Sequence, residues 1–204
     1  MFLLNEFEDK FRYGRYVLHL DMSFDNILLF MKMLEDDELS DEDKCLIGLE
    51  MLVKDYKKIE DISFQEKADL FKYIMKEFLD TDIDAPPEEG GPTKKDFDFE
   101  VDAERIYASF LMDYNMDLFE QRGKLHWKKF LALLSGLSEK TPFMQVVRIR
   151  NMEVPKPTKY NAKERQQIQK LKRKYALEDQ DINSALDQAA TFLRGKAKVG
   201  DKNG

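Results

Sequence analysis

The sequence predicts a mainly α-helical protein, a helical bundle with a small N-terminal β-hairpin. Charged residues make up 36% of the 204, which suits helices with solvated faces better than a buried parallel sheet. Glycine and proline are scarce, at nine and six, too few for a turn-rich all-β fold. Apolar residues recur at three- and four-residue steps, and Ser, Thr or Asp opens several of those stretches.

The hairpin comes first. Residues 7–12 and 16–20 flank Tyr13-Gly14-Arg15, where Gly14 supplies the positive φ of a tight turn. Alternation puts Val17 and His19 on one face and Tyr16, Leu18 and Leu20 on the other, so His19 is expected to be an exposed strand residue. Ser23 opens a helix, its hydroxyl capping free N–H groups, with Phe24, Ile27, Leu28, Met31 and Leu34 at helical spacing. An acidic turn, residues 35–38, ends it. Ser40 caps a second helix whose apolar face is Cys45, Leu46, Leu49, Leu52 and Val53. Ser63 and Glu66 form a capping box for a third, lined by Phe64, Leu70, Phe71, Ile74, Phe78 and Leu79.

Residues 80–96 read as a flexible acidic Pro/Gly linker, which divides a hairpin-plus-three-helix segment (1–79) from an aromatic-rich helical unit (97–153). That unit starts with a short, extended stretch, residues 97–99. Residues 101–114 then form a helix with Ile106, Phe110, Leu111 and Tyr114 repeating. Residues 125–134 form another, with Gly136 as its stop. Thr141-Pro142 starts a short helix, cap then proline in the first turn. Pro155 and Pro157 break the chain before the last segment, 154–204: a basic helix over 159–175, then an amphipathic helix that Asp181 caps.

A lone Cys45 allows no internal disulfide and fits a reducing compartment, and its place on an apolar face marks it as core. No apolar run approaches the roughly 18 residues of a membrane span. The start lacks a signal-peptide pattern, so the expectation is a soluble protein of the cytoplasm, with no membrane partner. Charge is asymmetric. Residues 1–104 carry 29 acidic and 13 basic side chains, a balance of -16, and residues 105–204 carry 11 and 20, a balance of +9. Either each half has its own partner, or copies attract head to tail in a salt-sensitive way, or the halves face each other or simply stay solvated.

Tests for chemistry come back empty. The two histidines, His19 and His126, are far apart, and no CxxC, HExxH or calcium-loop pattern occurs, so no zinc site is expected; a magnesium site would have to come from carboxylates alone, and no metal ligand is assigned. Asp98, Glu100 and Asp102 look like a carboxylate cluster but fit capping and helix-dipole compensation better. There is no GxSxG elbow, and Gly90-Gly91-Pro92-Thr93-Lys94-Lys95 lacks P-loop spacing. No catalytic residue and no cofactor are expected. Trp127 shares its helix face with Leu131 and Leu134 and reads as core. His126, about 100° round the helix, reads as a core-edge residue. Candidate partner contacts are these two residues and Lys170, Lys172, Arg173 and Lys174 of the basic helix, which also carries Lys163 and Arg165. That helix would attract phosphates, but it has no groove-reading or stacking platform and the whole chain is acidic, so nucleic acid is the weaker expectation.

The wording resembles that of the tailed-phage gene-product-fifteen family of Gram-positive phages and prophages. The resemblance rests on residues 36–44 (DDELSDEDK), on residues 98–110 (DFEVDAERIYASF), on Leu125-His126-Trp127-Lys128-Lys129-Phe130, on Leu134-Ser135-Gly136-Leu137, and on the basic helix with Tyr175-Ala176-Leu177. It spans the chain to about residue 178, and residues 179–204 read as a variable extension. The family commonly has a second tryptophan where Lys128 stands here, so an aromatic pair is not implied.

The resemblance implies a protein encoded just upstream of the tape-measure protein of a long non-contractile tail, the usual place of tail assembly chaperones. Such chaperones are helical, coat the apolar helices of the tape-measure protein, help recruit tail-tube protein, and are absent from the finished virion. No catalytic residue carries over. The expectation is a non-enzymatic tail morphogenesis protein in the cytoplasm of the bacterial host. The alternatives are a structural tail or connector component kept in the virion and, from another class, a nucleic-acid-binding regulator using the helix over 159–175. Adaptable client surface could come from Met31, Met33, Met51, Met75, Met112, Met116 and Met144, although ordinary core packing accounts for methionines equally.

Overall fold

The computed structural model describes residues 7–81 and 96–177. Most of the linker over 80–96, and the helix expected after Asp181, lie outside them. The elements are β1 (Lys10–Tyr13), β2 (Tyr16–His19), α1 (Phe24–Leu34), α2 (Asp41–Leu52), α3 (Phe64–Leu79), α4 (Ala103–Tyr114), α5 (Trp127–Ser135), α6 (Pro142–Asn151) and α7 (Ala162–Lys174), with a 3-10 turn over Tyr56–Lys58. The fold is mainly α with an N-terminal hairpin, as periodicity and composition predict. It divides into two compact units, one holding residues 7–81 and the other residues 96–177.

In the first unit β1 and β2 are antiparallel, in register from Lys10 opposite His19 to Tyr13 opposite Tyr16, and Gly14 takes φ +55° in the turn. Leu18 and Leu20 point into the core and Val17 points out. A lone two-stranded hairpin is marginal in water. Here the chain after α2 seals the outer edge of β2. Leu20 bridges Val53, Lys54 N–H donates to His19 O (2.9 Å), and Lys58 Nζ donates to Val17 O (3.0 Å). The Asp55 carboxylate accepts His19 N–H (2.9 Å) and meets His19 Nδ1 at 2.6 Å. His19 is therefore exposed, as expected, yet held.

Two of the three expected serine caps form as capping boxes: Ser40 with Asp43, and Ser63 with Glu66. Ser23 does not cap. Its hydroxyl is turned to donate to Asp21 Oδ1 (2.7 Å), an orientation in which its oxygen accepts no helix N–H. Asn26 takes over the joining role, donating to Asp21 O (2.9 Å) and Met51 O (3.0 Å), and so ties α1 to the end of α2.

Phe30, absent from the expected α1 face, is fully buried and meets Phe71 of α3 edge-on at 6.1 Å. The rings meet over Gly48 of α2, where a Cβ would stand 2.8 Å from each. Cys45 is buried beside them, and burial pushes its thiol up to about 11 although Lys67 pulls the other way. It is a core residue, as its place on the apolar face of α2 suggests.

In the second unit α4 packs against α5 and α6, and α6 packs against α7. Three helices start two or three residues later than periodicity suggests, because polar side chains hold the preceding chain in turns. The Asp98 carboxylate accepts N–H groups of Glu100 and Val101 (both 2.8 Å), so α4 waits until Ala103. His126 caps α5, and Asn161 accepts Thr158 N–H (2.8 Å) before α7. Thr141 caps α6 with Pro142 in its first turn, as expected, and buried Ser109 of α4 accepts the next N–H, that of Phe143 (3.1 Å).

Candidate partner interface

The core of the second unit is aromatic. Phe110 and Phe130 stack at 5.3 Å, Trp127 stacks on Phe130 at 5.6 Å, and Phe99 lies 5.7 Å from Trp127. Phe97 links Phe99 to Phe143 of α6 at 5.1 and 5.4 Å. Trp127 is 8% exposed, which leaves little of its ring for a partner. His126 is not simply an edge residue. Its Nδ1 accepts Lys128 N–H (3.0 Å), making it the N-cap of α5, a role worth about 1 kcal/mol when filled by a good acceptor. Burial, then a neighbouring carboxylate (Asp117 and Asp113 respectively), raises the Tyr107 and Tyr114 hydroxyls, so both remain donors. Tyr107 reaches Asp117 (3.3 Å), and Tyr114 reaches Leu133 O (2.8 Å).

Asp102 corrects the expectation for the acidic cluster. It does not serve the helix dipole from the surface; its side chain is fully buried. Arg150 of α6, 5% exposed, donates to both of its oxygens, NH1 at 2.5 Å and NH2 at 2.9 Å. The same guanidinium donates to Tyr175 O from Nε (2.6 Å) and to Asp96 O from NH1 (3.2 Å). Arg105 adds a bond to Asp102 Oδ1 (3.1 Å) and lies over the Tyr175 ring, 5.6 Å from its centroid. The pair was missed in the sequence, but a signal was present. Arg150 falls on the buried stripe of α6 with Phe143 and Val146, and Asp102 falls one turn before Ile106 on that of α4. A charge on each of two core stripes is the mark of a buried ion pair.

The outer face of α4 was missed too. Leu111 belongs to the expected core face, yet it is 44% exposed. With Ala108, Met112 and Val101 just before the helix, it forms an exposed face, apolar except for Glu104, opposite the buried Ile106 and Phe110. Phe119 of the following loop is also exposed, its ring tilted against Tyr107 at 5.2 Å with Arg122 lying over it.

Of the expected basic contacts, Lys170, Arg173 and Lys174 are exposed, as is Lys163. Lys172 and Arg165 turn inward and donate to the carbonyls of Met152 and Pro155, so they fasten the helix rather than face solvent.

Residues 7–177 match the family model described as bacteriophage Gp15 protein. The chain belongs to that family. Membership makes it a phage protein and points to a structural or morphogenesis role. No curated protein and no solved structure matches it. The described parts of this Gp15-family chain lie within the matched span, so the buried pair, the apolar stripe and the basic helix all fall inside the family region. Among the described residues no group of His, Cys, Asp and Glu is placed to hold a metal ion, and no helix is long and apolar enough to cross a membrane. What the surfaces offer is contact: one apolar stripe and one cationic face.

Proposed function

We propose that this chain is a non-enzymatic tail assembly chaperone, acting in the host cytoplasm on the tape-measure protein and tail-tube subunits. The observation that carries the reading is the outer stripe of α4. A helix apolar on both faces is normally enclosed on both. Here one face packs in the second unit, while Val101, Ala108, Leu111 and Met112 meet water. A client helix with an apolar stripe of its own would cover them, in the helix-on-helix mode read by anchors at three- and four-residue steps. Met112 suits a client whose contact varies along its length, because its unbranched side chain adapts to different surfaces. Family membership supplies the phage context.

Co-expression with the tape-measure protein of the same phage tests the reading. Wild-type chain should keep that protein soluble. Leu111→Glu with Met112→Glu should lose the effect while its own helicity, followed by circular dichroism, stays unchanged. Solubility equal with and without the chain would count against a chaperone. Mass spectrometry of purified virions separates the alternative: abundant protein in finished particles would mark a retained tail or connector component.

A further inference from the structure

The basic helix α7 has no buried residue. One stripe of it, Asn161, Arg165, Ile168, Lys172 and Tyr175, is half-buried, and Arg165 and Lys172 are spent on the carbonyls named above. The opposite stripe presents Lys163, Lys170 and Lys174 at helical spacing, with Arg173 alongside and Gln166 and Gln167 between. Among the described residues none of these four cations pairs with a carboxylate; Arg173 bonds Gln169 O (3.4 Å) and Lys174 lies over Tyr175. Residues 156–174 hold eight basic side chains and one acidic, Glu164, a net +7.

The complement is in the same sequence. Residues 35–43 hold seven acidic side chains and no basic one, a net -7, around the turn that joins α1 to α2. We propose that the outward stripe of α7 docks a second copy of this chain, through that copy's acidic turn. Each copy then offers one surface of each sign. A contact between two different surfaces leaves one of each free on the outer copies, so it can continue into rings or rows of copies. Charge complementarity of this kind sets orientation and encounter rate, and it weakens with salt. A nucleic acid is the less suitable occupant: the spacers on the stripe are glutamines, and the one strongly exposed ring nearby, Tyr160, precedes the helix and offers a single stacking surface. This inference does not depend on the client proposed above.

Sedimentation velocity of the full chain tests it, at about 0.1 M and about 1 M salt, where the screening length falls from about 10 Å to about 3 Å. Wild type should associate at low salt and become monomeric at high salt. Lys163→Glu with Lys170→Glu and Lys174→Glu should be monomeric in both, as should Asp37→Lys with Glu38→Lys, which leaves the Ser40–Asp43 capping box intact. The two variants, mixed, should associate with each other, because the untouched acidic turn of the first meets the untouched basic stripe of the second. If a reversed variant loses helicity, Lys163→Gln, Lys170→Gln and Lys174→Gln replaces it, with association reduced rather than lost. A wild type monomeric at low salt, or a folded pair that fails to associate when mixed, overturns the proposal. So does a gel shift with single-stranded or duplex DNA or RNA that the Glu variant abolishes while wild-type mass stays that of a monomer.

Discussion

Among the described residues, 7–81 hold most of their charges at the rim, with Lys44 buried, whereas 96–177 bury a complete ion pair; both expose apolar side chains, Val17 and Leu29 in the first and Leu111 and Met112 in the second. In the first unit the polar bonds that join elements are shallow and local: two capping boxes, the Asn26 tie, and the His19–Asp55–Lys58 group on the hairpin edge. Its interior is apolar apart from the buried Lys44 and Ser23, with Phe30 and Phe71 meeting over Gly48. In the second unit the interior carries Asp102 and Arg150, and the middle helix leaves an apolar stripe in water. Apolar burial is favourable without a fixed geometry, but a buried ion pair holds only one arrangement. The first unit is thus organised for packing in itself. The second adds to its packing a buried pair of opposite charges, and removing either member leaves the other buried without it.

The largest expected effect tests the buried pair. Arg150→Ala leaves the Asp102 carboxylate buried without its main partner, a change that costs roughly 3–5 kcal/mol. Urea unfolding followed by Trp127 fluorescence should show the second unit melting early. Arg150→Met with Asp102→Leu sharpens the point. An apolar pair often replaces an ion pair without loss, but it cannot hold Asp96 O and Tyr175 O. The double variant should therefore recover only part of the stability. Full recovery would show that the backbone bonds contribute nothing.

Next is packing in the first unit. Gly48→Ala puts a methyl against two rings in contact, and overpacking of this kind costs about 1–3 kcal/mol. The loss should appear as a lower urea midpoint for the first unit, with Trp127 fluorescence of the second unit unmoved. An unchanged midpoint would mean that the core of residues 7–81 is looser than described.

The smallest effect concerns the rim. Hydrogen bonds from His19 first, then Lys58, hold the Asp55 carboxyl down to about 2. A lowered value stabilises the fold above the ordinary carboxylate range and stops doing so as pH falls through the folded value. The hairpin edge should loosen between about pH 4 and about pH 2, seen as faster amide exchange at His19 and Lys54. Asp55→Asn should flatten that dependence. An unchanged exchange profile in the variant would remove Asp55 as the cause.

What was legible in the sequence was local. Gly14 in its turn, Ser40 with Asp43, Ser63 with Glu66, and Thr141 before Pro142 are signals a few residues long, and each forms as the spacing suggests. Reading failed where a distant or rival partner decides. Ser23 has the right type and place for a cap, but Asp21 takes its hydroxyl. His126 looks like a flank residue until its ring is seen accepting Lys128 N–H. The Asp102–Arg150 pair joins positions 48 apart, so no window on one helix contains it. Leu111 shows the limit of periodicity: apolar residues run round most of α4, and spacing alone does not tell which side finds neighbours.

Arg150 also has a topological consequence. Its Nε holds the carbonyl of Tyr175 and its NH1 holds that of Asp96, so one guanidinium pins both the first and nearly the last described residue of the second unit. A stretch whose two ends meet at a single side chain is a closed cassette. Ends held side by side are what circular permutation needs. Joining its ends and opening it elsewhere, in the loop after α4 for example, would leave the wiring of the fold intact.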